Sequence, residues 1–368
     1  MVDSPISRMG TLTALWQESL ETHMMQRTSV RLVAAAIVTG FGIGPVVAQA
    51  AEVDGPKVEW RFSTWGKERA FTKGIEVLGD IVSRKTGGNF TIRVGYGEAF
   101  SKERENLDSI KINAVDGAHF CNFYSPGKNP AFMVFSLPFL PLGDWEVSRR
   151  VREALYNHPA LVADMDRWNA MTYSTTMLPQ YEFLGRGPMP ATLEGWKGKR
   201  VRAGGGLGDA MEILGAIKTT TTATEVYTSM QRGSMDAASF PYTYAHAAYK
   251  IHEVAEWYTT NMSPGTADCP IVFNKDSWKK LPEQYRKLIT DARDTVAKAQ
   301  IQAYVDIDKK NLQMFAEKLK PVTYTDAQRK ELQRVAGKPV WDKWVADNKD
   351  KFDAQGVLDQ LFKVAEGR

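Results

Sequence analysis

The chain has 368 residues, of which 43% are hydrophobic and 24% are charged, a globular composition with enough apolar material for two or three domains. Its 47 basic and 43 acidic residues leave a formal net charge of +4, and most Lys and Arg alternate with Asp and Glu, which argues against a nucleic-acid partner. The two cysteines, Cys121 and Cys269, are too few for a disulfide scaffold, and the sequence leaves open whether they pair.

The N-terminal 50 residues have the features of an export signal. Arg27 and Arg31 form a short positive region, the apolar stretch 32–47 follows, and Ala48-Gln49-Ala50 is a small-residue cleavage site. Glycines and a proline interrupt the apolar stretch, which is shorter than the ~20 residues that a membrane-spanning helix needs. We therefore predict a signal peptide over 1–50, cleaved near Ala50–Ala51, and a mature protein in the periplasm. The alternative is an N-terminal membrane anchor.

The position of this signal also predicts where translation starts. A signal peptide begins with its charged region, and Met24 and Met25 lie directly before that region here. We expect translation to start at one of these two residues, so that residues 1–23 are an upstream extension. No later segment of the sequence is long and apolar enough to cross a membrane, and we expect the mature protein to be soluble.

The first part of the mature chain alternates between strand and helix patterns. Apolar and polar residues alternate in 58–65 and again in 90–96, as in half-buried strands, and a third short strand is predicted at 118–123. Helical spacing is found between them, in 71–82, which ends at a pair of glycines, and in 107–114. This order predicts a parallel α/β sheet.

A similar pattern starts again after residue 174. A strand at 199–204 is followed by a helix over 209–215, a β-rich stretch over 216–222, a helix over 224–233 and a strand over 235–240. Two α/β units of similar order predict two lobes that face a cleft. Ligands of open parallel sheets bind at the carboxyl ends of the strands, where the loops lie.

The C-terminal third is mostly helical. Apolar residues recur at helical spacing from 281 to 319, which predicts one helix of nearly forty residues, ~57 Å long. A single lobe of this size is shorter, so we expect this helix to run along both lobes. We accordingly predict lobe 1 over 51–175, completed by about 265–308, and lobe 2 over 176–264, completed by about 309–368.

Four basic residues, at positions 197, 199, 200 and 202, precede a turn that is mostly glycine, at 204–208. The glycine spacing does not match the dinucleotide fingerprint, and the Gly-Lys-Ser/Thr ending of a P-loop is missing. What remains is a strand that turns sharply into a helix, whose N-terminal amide groups make a modest anion site. Strand alternation places Arg200 and Arg202 on one side, so the pattern alone does not select one of them.

Motifs for metal binding and catalysis are missing from the sequence. His246 and His252 are six residues apart, and the sequence after His252 lacks the second histidine of a zinc-protease helix. There is no G-x-S-x-G motif in the sequence. We therefore expect no metal, no cofactor and no catalytic residue, which favours a binding function.

Several segments resemble one known family. They are "LEGWKGKRVRAGGG" from Leu193, "TATEVYTSMQRGSMDAASFP" from Thr222, "VFNKDSWKKLPEQYRKLITDA" from Val272, and the earlier "LDSIKINAVDGAHF" and "FSLPFL". Together they are similar to the solute-binding proteins of tripartite ATP-independent periplasmic (TRAP) transporters, the DctP type. The resemblance covers nearly all of the mature chain. The chain departs from the family pattern at Ala237, where a glycine is common, and in its glycine-rich turn.

This resemblance implies an α/β, two-lobe periplasmic binding protein fold with a hinged cleft and a long helix spanning both lobes. It implies a small-molecule organic acid as the ligand and the integral-membrane TRAP permease subunits as the partners. The arginine with which the family binds the ligand carboxylate falls on Arg202. A guanidinium offers two parallel donors that match a carboxylate, and such a pair is strong in a cleft that excludes water.

The resemblance places eight further residues near the ligand. They lie in loops or strand ends that the family uses for ligand contacts: Trp65, Cys121, Asn122, Phe123, Gln180, Tyr181, Phe240 and Asp268. The aromatic residues favour an aromatic or medium-sized hydroxy or oxo acid. Two alternatives are an ABC-type binding protein that holds a quaternary amine in an aromatic box, and an exported enzyme that acts on carboxylates.

Overall fold

The computed structural model describes residues 51–368, and the predicted signal peptide lies outside this range. The described part contains two mixed β-sheets. Their strands are β1 Val58–Ser63, β2 Phe90–Gly95, β3 Gly117–His119, β4 Ala170–Ser174, β5 Tyr181–Gly185, β6 Arg200–Arg202, β7 Ile217–Thr219, β8 Ala237–Pro241, β9 Trp257–Thr259, β10 Ile271–Asn274 and β11 Lys320–Val322. The first sheet has the order β2-β1-β3-β10-β4 and the second β11-β9-β5-β8-β6-β7.

Helices cover the sheets and connect them. Their bounds are α1 Lys73–Lys85, α2 Asn106–Lys111, α3 Trp145–Leu155, α4 Pro159–Asp166, α5 Gly205–Ile213, α6 Val226–Gln231, α7 Tyr244–Ala248, α8 Lys275–Lys280, α9 Glu283–Asp291, α10 Arg293–Lys318, α11 Asp326–Ala336, α12 Lys338–Asn348 and α13 Ala354–Ala365. Capping side chains fix several helix starts: Asn274 accepts from the amides of residues 276 and 277, and Thr325 forms a capping box with Gln328.

Each sheet mixes parallel and antiparallel pairs. Strand β1 pairs in parallel with β2 and β3, as the sequence predicts, whereas β10 inserts antiparallel between β3 and β4. In the second sheet β6 is parallel to β7 and β8, and β5 is antiparallel to β8 and β9. The carboxyl ends of β1, β3, β6 and β8 carry the loops that form the site described below.

The chain passes between the sheets three times. It crosses from β4 to β5, returns from β9 to β10, and reaches β11 of the second sheet through α9 and α10. The predicted long helix is present, with a one-residue irregularity at Ala292, whose φ of −73° and ψ of −14° stay close to helical values. Its 26-residue part, α10, packs on α1 beside the first sheet and on α7 beside the second. It therefore spans both lobes.

The C-terminal helices also bridge the two halves of the described chain. Helices α11 and α12 pack on α5, and α13 packs on α3. The indole Nε1 of Trp341 donates to the Pro138 carbonyl at 2.7 Å, and that of Trp344 to the Pro130 carbonyl at 3.3 Å. The lobe boundaries predicted from the sequence stay a prediction. Helix α13, which those boundaries assign to lobe 2, packs on α3, which they assign to lobe 1.

Apolar side chains form three buried clusters. One lies on the first sheet around Trp60, Phe62 and α1, and a second on the other sheet around Trp196 and Trp257. The third contains residues from both halves, including the rings at positions 65, 123, 181 and 240. A continuous aromatic cluster therefore joins the lobes around the loops at the carboxyl ends of the strands.

Candidate functional site

Arg202, at the end of β6, is the central residue of the site. It is only 1% exposed, and its strand β6 lies between β7 and β8 in the second sheet. Nε donates to the Thr221 carbonyl at 3.0 Å and Nη1 to the Ser239 carbonyl at 2.7 Å, whereas Nη2 is 3.5 Å from the Tyr124 hydroxyl. Because a guanidinium has five N–H groups, these contacts leave donors for a ligand oxygen.

Arg200 has a different role, although it lies two residues away on the same strand. It is half-buried, and its side chain pairs with Asp236, with Nε 3.0 Å from Oδ2. This pair lowers the pKa of Asp236 through the side-chain hydrogen bond to Arg200. The structure therefore separates the two arginines that the strand pattern left equivalent, since only Arg202 is buried in the site.

Aromatic rings from both halves surround Arg202. Its guanidinium carbon lies 4.3 Å from the centre of the Phe240 ring and 5.4 Å from that of Phe123. Phe240 belongs to β8, and Phe123 follows β3 of the first sheet. A desolvated guanidinium between two ring faces is stabilised by about 2 kcal/mol or more for each favourable cation–π contact, which holds the positive charge at the lobe boundary.

A small cavity lies against Arg202, with a volume of about 20 Å³. Six of the nine residues predicted from the sequence line it: Trp65, Cys121, Phe123, Tyr181, Arg202 and Phe240. Further lining residues include Phe71, Tyr124, Leu178, Tyr244, Tyr249 and Cys269. Typical ligand pockets measure ~300–1,000 Å³, so an organic acid enters only when the lobes part or these rings turn.

The other three predicted residues are near the cavity but do not line it. Asn122 is fully buried and donates from Nδ2 to the Phe132 carbonyl at 2.9 Å. Gln180 is half-buried and donates to the Leu142 carbonyl at 3.1 Å. Asp268 accepts from Arg152 Nε at 3.1 Å and from the Tyr156 hydroxyl at 2.8 Å. Their polar groups bind other parts of the protein, and their ligand contacts stay a prediction.

The two cysteines form a disulfide in the wall of the cavity. Strands β3 and β10 are antiparallel neighbours, and Ile271 lies opposite His119. The same register places Cys121 opposite Cys269. The ladder continues one step further, where the Asn122 amide donates to the carbonyl of residue 268 at 3.0 Å. The disulfide therefore closes the end of this strand pair where it reaches the cleft.

Arg69 is a second cationic residue at the cavity that the sequence analysis missed. It follows β1, in the loop where Trp65 was predicted, and its Nη1 donates to the carbonyls of Trp65 and Lys67, both at 2.7 Å. Its guanidinium lies 4.7 Å from the Phe71 ring centre and 5.6 Å from that of Tyr249, which comes from the other half. The available signal was an arginine four residues after Trp65, in the loop at the carboxyl end of a strand.

The glycine-rich turn packs directly on the first half of the described chain. A methyl group on Gly204 would lie 2.7 Å from Cε2 of Phe123 and closer to two other ring atoms. Gly205 has a φ of +53°, and a Cβ there would be 2.8 Å from Cβ of Ser136. The missing side chains let the start of α5 pack on the first half, and the anion site predicted at its amide groups stays a prediction.

Burial determines which groups of the site are charged. It lowers the pKa of His246 to about 3, so this histidine is neutral and its Nε2 donates to the Glu182 carbonyl at 3.0 Å. Burial also raises the pKa of Tyr124 and Tyr181 above the ordinary tyrosine value. Within residues 51–368, neither Arg69 nor Arg202 forms an ion pair with a protein carboxylate, and no three His, Cys, Asp or Glu residues are grouped to hold a metal.

Comparison with known proteins agrees with this arrangement. The family model described as "bacterial extracellular solute-binding protein, family 7" (DctP) matches residues 62–348. The chain belongs to this family. Solute-binding proteins of the family serve transport, and TRAP solute-binding proteins bind small organic acids and deliver them to TRAP permeases.

A characterised relative and two solved structures are similar to this family 7 protein. The monocarboxylate 2-oxoacid-binding periplasmic protein of Nostoc sp. is 24% identical over 81% of this chain and 86% of its own length. A TRAP solute-binding protein from Rhodoferax ferrireducens, in complex with copurified benzoate, has a TM-score of 0.75, 20% identity, and coverage of 84% of this chain and 98% of its own. A marine metagenome TRAP solute-binding protein specific for aromatic acids, in complex with metahydroxyphenylacetate, has a TM-score of 0.75 and 17% identity. The match covers 84% of this chain and 99% of that protein. These similarities establish the two-lobe fold.

None of the helices in residues 51–368 is long and apolar enough to cross a bilayer. The family and the fold thus agree with the sequence prediction of an α/β binding protein with a long helix.

Proposed function

We propose that this protein captures an organic carboxylate between its lobes and delivers it to the membrane subunits of a TRAP permease. The observation that carries the proposal is Arg202, which is 1% exposed, has no carboxylate partner among the described residues and lines a cavity between the lobes. A buried guanidinium with free donors pairs most favourably with a carboxylate, because charge-assisted hydrogen bonds strengthen where water is excluded.

The cavity wall favours an aromatic or medium-sized oxo or hydroxy acid. Rings from Trp65, Phe123 and Phe240 supply flat apolar surface, and an aromatic body gains an additional stacking energy on such rings. Two similar structures hold benzoate and metahydroxyphenylacetate, and the Nostoc relative is named for 2-oxoacids. A sugar acid with many hydroxyl groups would leave those groups without partners on these rings.

Capture requires contacts from both lobes. A ligand shifts the lobes toward closure only by its difference in affinity for the closed and open forms. Arg202 and Phe240 contribute from the second sheet, and Trp65, Arg69 and Phe123 from the first. A carboxylate held by Arg202 whose ring contacts Trp65 and Phe123 stabilises the closed form alone.

We further propose that the protein works outside the cytoplasm, after removal of a signal peptide near Ala50–Ala51, and that it does not transform its ligand. The description of the family as extracellular supports the location. Against a quaternary amine as ligand, the aromatic groove already contains the guanidinium of Arg202, which would repel a second cation. Against catalysis, the cavity brings together no nucleophile with a base.

The test is a thermal-shift and calorimetric screen of residues 51–368 against benzoate, 3-hydroxyphenylacetate, pyruvate and succinate, each beside its amide. A ligand that binds only the native state at a hundredfold excess over Kd adds about 2.7 kcal/mol of stability. An acid that raises the melting temperature while its amide does not supports the proposal. Shifts produced only by amines would overturn it.

Two variants distinguish the arginines. Arg202→Ala leaves a ligand carboxylate buried without its partner, which costs about 3–5 kcal/mol and reduces affinity roughly 10²- to 10⁴-fold. Arg200→Ala, which removes the same charge from the same strand but at the surface, changes affinity less than threefold. Undiminished affinity of the Arg202→Ala protein would show that Arg202 does not bind the ligand.

A further inference from the structure

A first-lobe segment between β2 and α2 reaches the second lobe beside the cavity. Arg104 donates from Nη2 to the Thr220 carbonyl at 2.7 Å and from Nη1 to the Tyr124 carbonyl, so it ties the two lobes together. In the same segment Glu98, at a φ of +66°, accepts a hydrogen bond from the amide of Glu103 at 2.9 Å. These contacts hold two glutamates side by side at the lobe boundary.

Glu103 is unusual among the buried carboxyl groups of residues 51–368. Glu103 is 5% exposed, and neither of its carboxyl oxygens has a hydrogen-bond partner. The other acids whose pKa is raised by burial or partial burial have donors: Asp164, Glu182, Asp268 and the half-buried Asp308 each accept at least two hydrogen bonds. An ionised carboxylate without donors costs so much in the interior that the group binds a proton instead.

The groups around Glu103 do not supply that missing charge. On its own segment Glu98 adds a like charge; the charge of Arg104 lowers the pKa of Glu103 by less than burial raises it, and the Arg104 donors are used by backbone carbonyls. Lys102, the other cation of the segment, acts on Glu98 and is exposed. From the second lobe the side chain of Thr222 faces Glu103 and is neutral.

The tyrosines that connect this pair to the cavity are also neutral. Tyr124 and Tyr249 both interact electrostatically with Glu103, and burial raises the pKa of each above its ordinary value. Arg202 reaches the Tyr124 hydroxyl at 3.5 Å from the cavity side, and Arg69 lies over the Tyr249 ring. The two arginines contact the tyrosines and backbone carbonyls, so no described cation forms an ion pair with Glu103.

We propose that Glu103, paired with Glu98 at the lobe boundary, takes up one proton as the lobes close, so that the protein captures an organic anion together with a proton. This inference rests on the proposed carboxylate-binding function. On closure one carboxyl oxygen of Glu103 takes up a proton from water, and on opening it returns the proton to water. The pair is thus a proton site of the closed cleft, separate from the arginine that binds the ligand.

The direction of the pH effect follows from burial. In the closed form, burial and the neighbouring Glu98 raise the pKa of Glu103 to about 8, and in open, solvated lobes a glutamate has a pKa of about 4.3. Between these values the closed form holds one more proton than the open form, so closure is favoured at low pH. Affinity then falls about tenfold for each pH unit between roughly 5 and 8 and is constant above and below.

The experiment measures affinity and proton uptake by calorimetry at pH 6, 7, 8 and 9, with benzoate and pyruvate as probes, in phosphate and in Tris buffer. Both acids are fully ionised over this range, so any proton uptake comes from the protein. The expected result is an uptake near one proton per bound acid at pH 6–7, declining toward zero at pH 9. Glu103→Gln, which mimics the protonated form, should bind with no pH dependence, whereas Glu105→Gln, exposed in the same segment, should behave as the unmodified protein.

Carboxyl ¹³C NMR of the full mature chain provides a readout that does not depend on the probe. The resonance missing in Glu103→Gln should titrate near 8 with acid bound. A pH-independent affinity in the unmodified protein, a slope that persists in Glu103→Gln, or a Glu103 carboxyl that titrates near 4.5 in every condition would overturn the proton site. Failure of every acid to bind would instead refute the carboxylate-binding function. The pKa of Glu103 can still be measured from its resonance in that case, so the two failures are distinguishable.

Discussion

Replacing Gly204 by alanine should prevent full closure of the lobes while leaving each lobe folded. Gly204 has φ −98° and ψ 157°, which alanine adopts without strain. The new methyl group would lie 2.7 Å from Cε2 of Phe123, against an ordinary contact of ~3.5–4.0 Å. The ring cannot move away easily, because it packs on Tyr124 at 4.9 Å between ring centres and lies under Arg202.

The magnitude follows from the location of this overlap. Overpacking of this kind costs about 1–3 kcal/mol, and it is present only when the lobes touch. The closed form alone is destabilised, so affinity for the acid identified in the screen should fall roughly 5- to 160-fold. Calorimetry measures the affinity, and urea unfolding of the unliganded protein tests whether the fold is intact.

Two further variants test the reasoning. Gly143→Ala, at a site where an added Cβ meets no atom within 4 Å, should bind as the unmodified protein does. In a Phe123→Ala background the ring is gone, so Gly204→Ala should then have little additional effect on affinity. Equal affinities of Gly204→Ala and the unmodified protein, or an equal loss in both backgrounds, would refute a steric contact between the lobes.

Three other predictions concern stability. The disulfide Cys121–Cys269 links residues 148 apart, and its reduction should lower the free energy of unfolding by about 2–4 kcal/mol. Urea unfolding curves with and without reductant measure this difference, and coincident curves would contradict it. Asp268→Ala leaves Arg152 buried without its ion-pair partner and should cost about 3–5 kcal/mol, whereas an effect below 1 kcal/mol would show that the pair is dispensable. His246 is neutral and buried, with its pKa lowered to about 3, so below pH 6.5 the unfolded chain binds a proton there that the folded chain does not. Buried acids with a raised pKa, such as Asp164, act in the opposite direction, so the contribution of His246 is measured against a His246→Leu protein. Relative to that variant, the stability of the unmodified protein should decline by up to about 1.4 kcal/mol per pH unit from 6.5 toward 4, and parallel pH profiles would exclude this histidine as a cause.

Much of the architecture could be predicted from local patterns. The strands at 58–65 and 90–96, the helix between them and the long C-terminal helix are all present, because alternation and helical spacing report burial directly. The helix predicted over 209–215 begins instead at Gly205. The glycines before it disfavour a helix by intrinsic propensity, and packing of that turn against Phe123 and Ser136 outweighs the propensity.

Features that depend on distant pairing could not be predicted. The insertion of β10 between β3 and β4, and with it the disulfide, depends on the register of strands about 100 to 150 residues apart in sequence, and no local pattern encodes such a register. Of the site, the loop positions implied by the family resemblance placed six residues at the cavity. Arg69 and Glu103 were missed because their importance comes from burial against the other lobe.

The aromatic cluster shared by the lobes has a kinetic consequence. The cavity that it encloses measures about 20 Å³, so no organic acid can reach Arg202 by diffusion alone while the rings are packed. The acid therefore binds the open form and the lobes close over it, so the observed rate of closure should level off as the concentration of acid rises. The same packing slows escape, so a captured acid should remain bound long enough to be carried to a membrane partner.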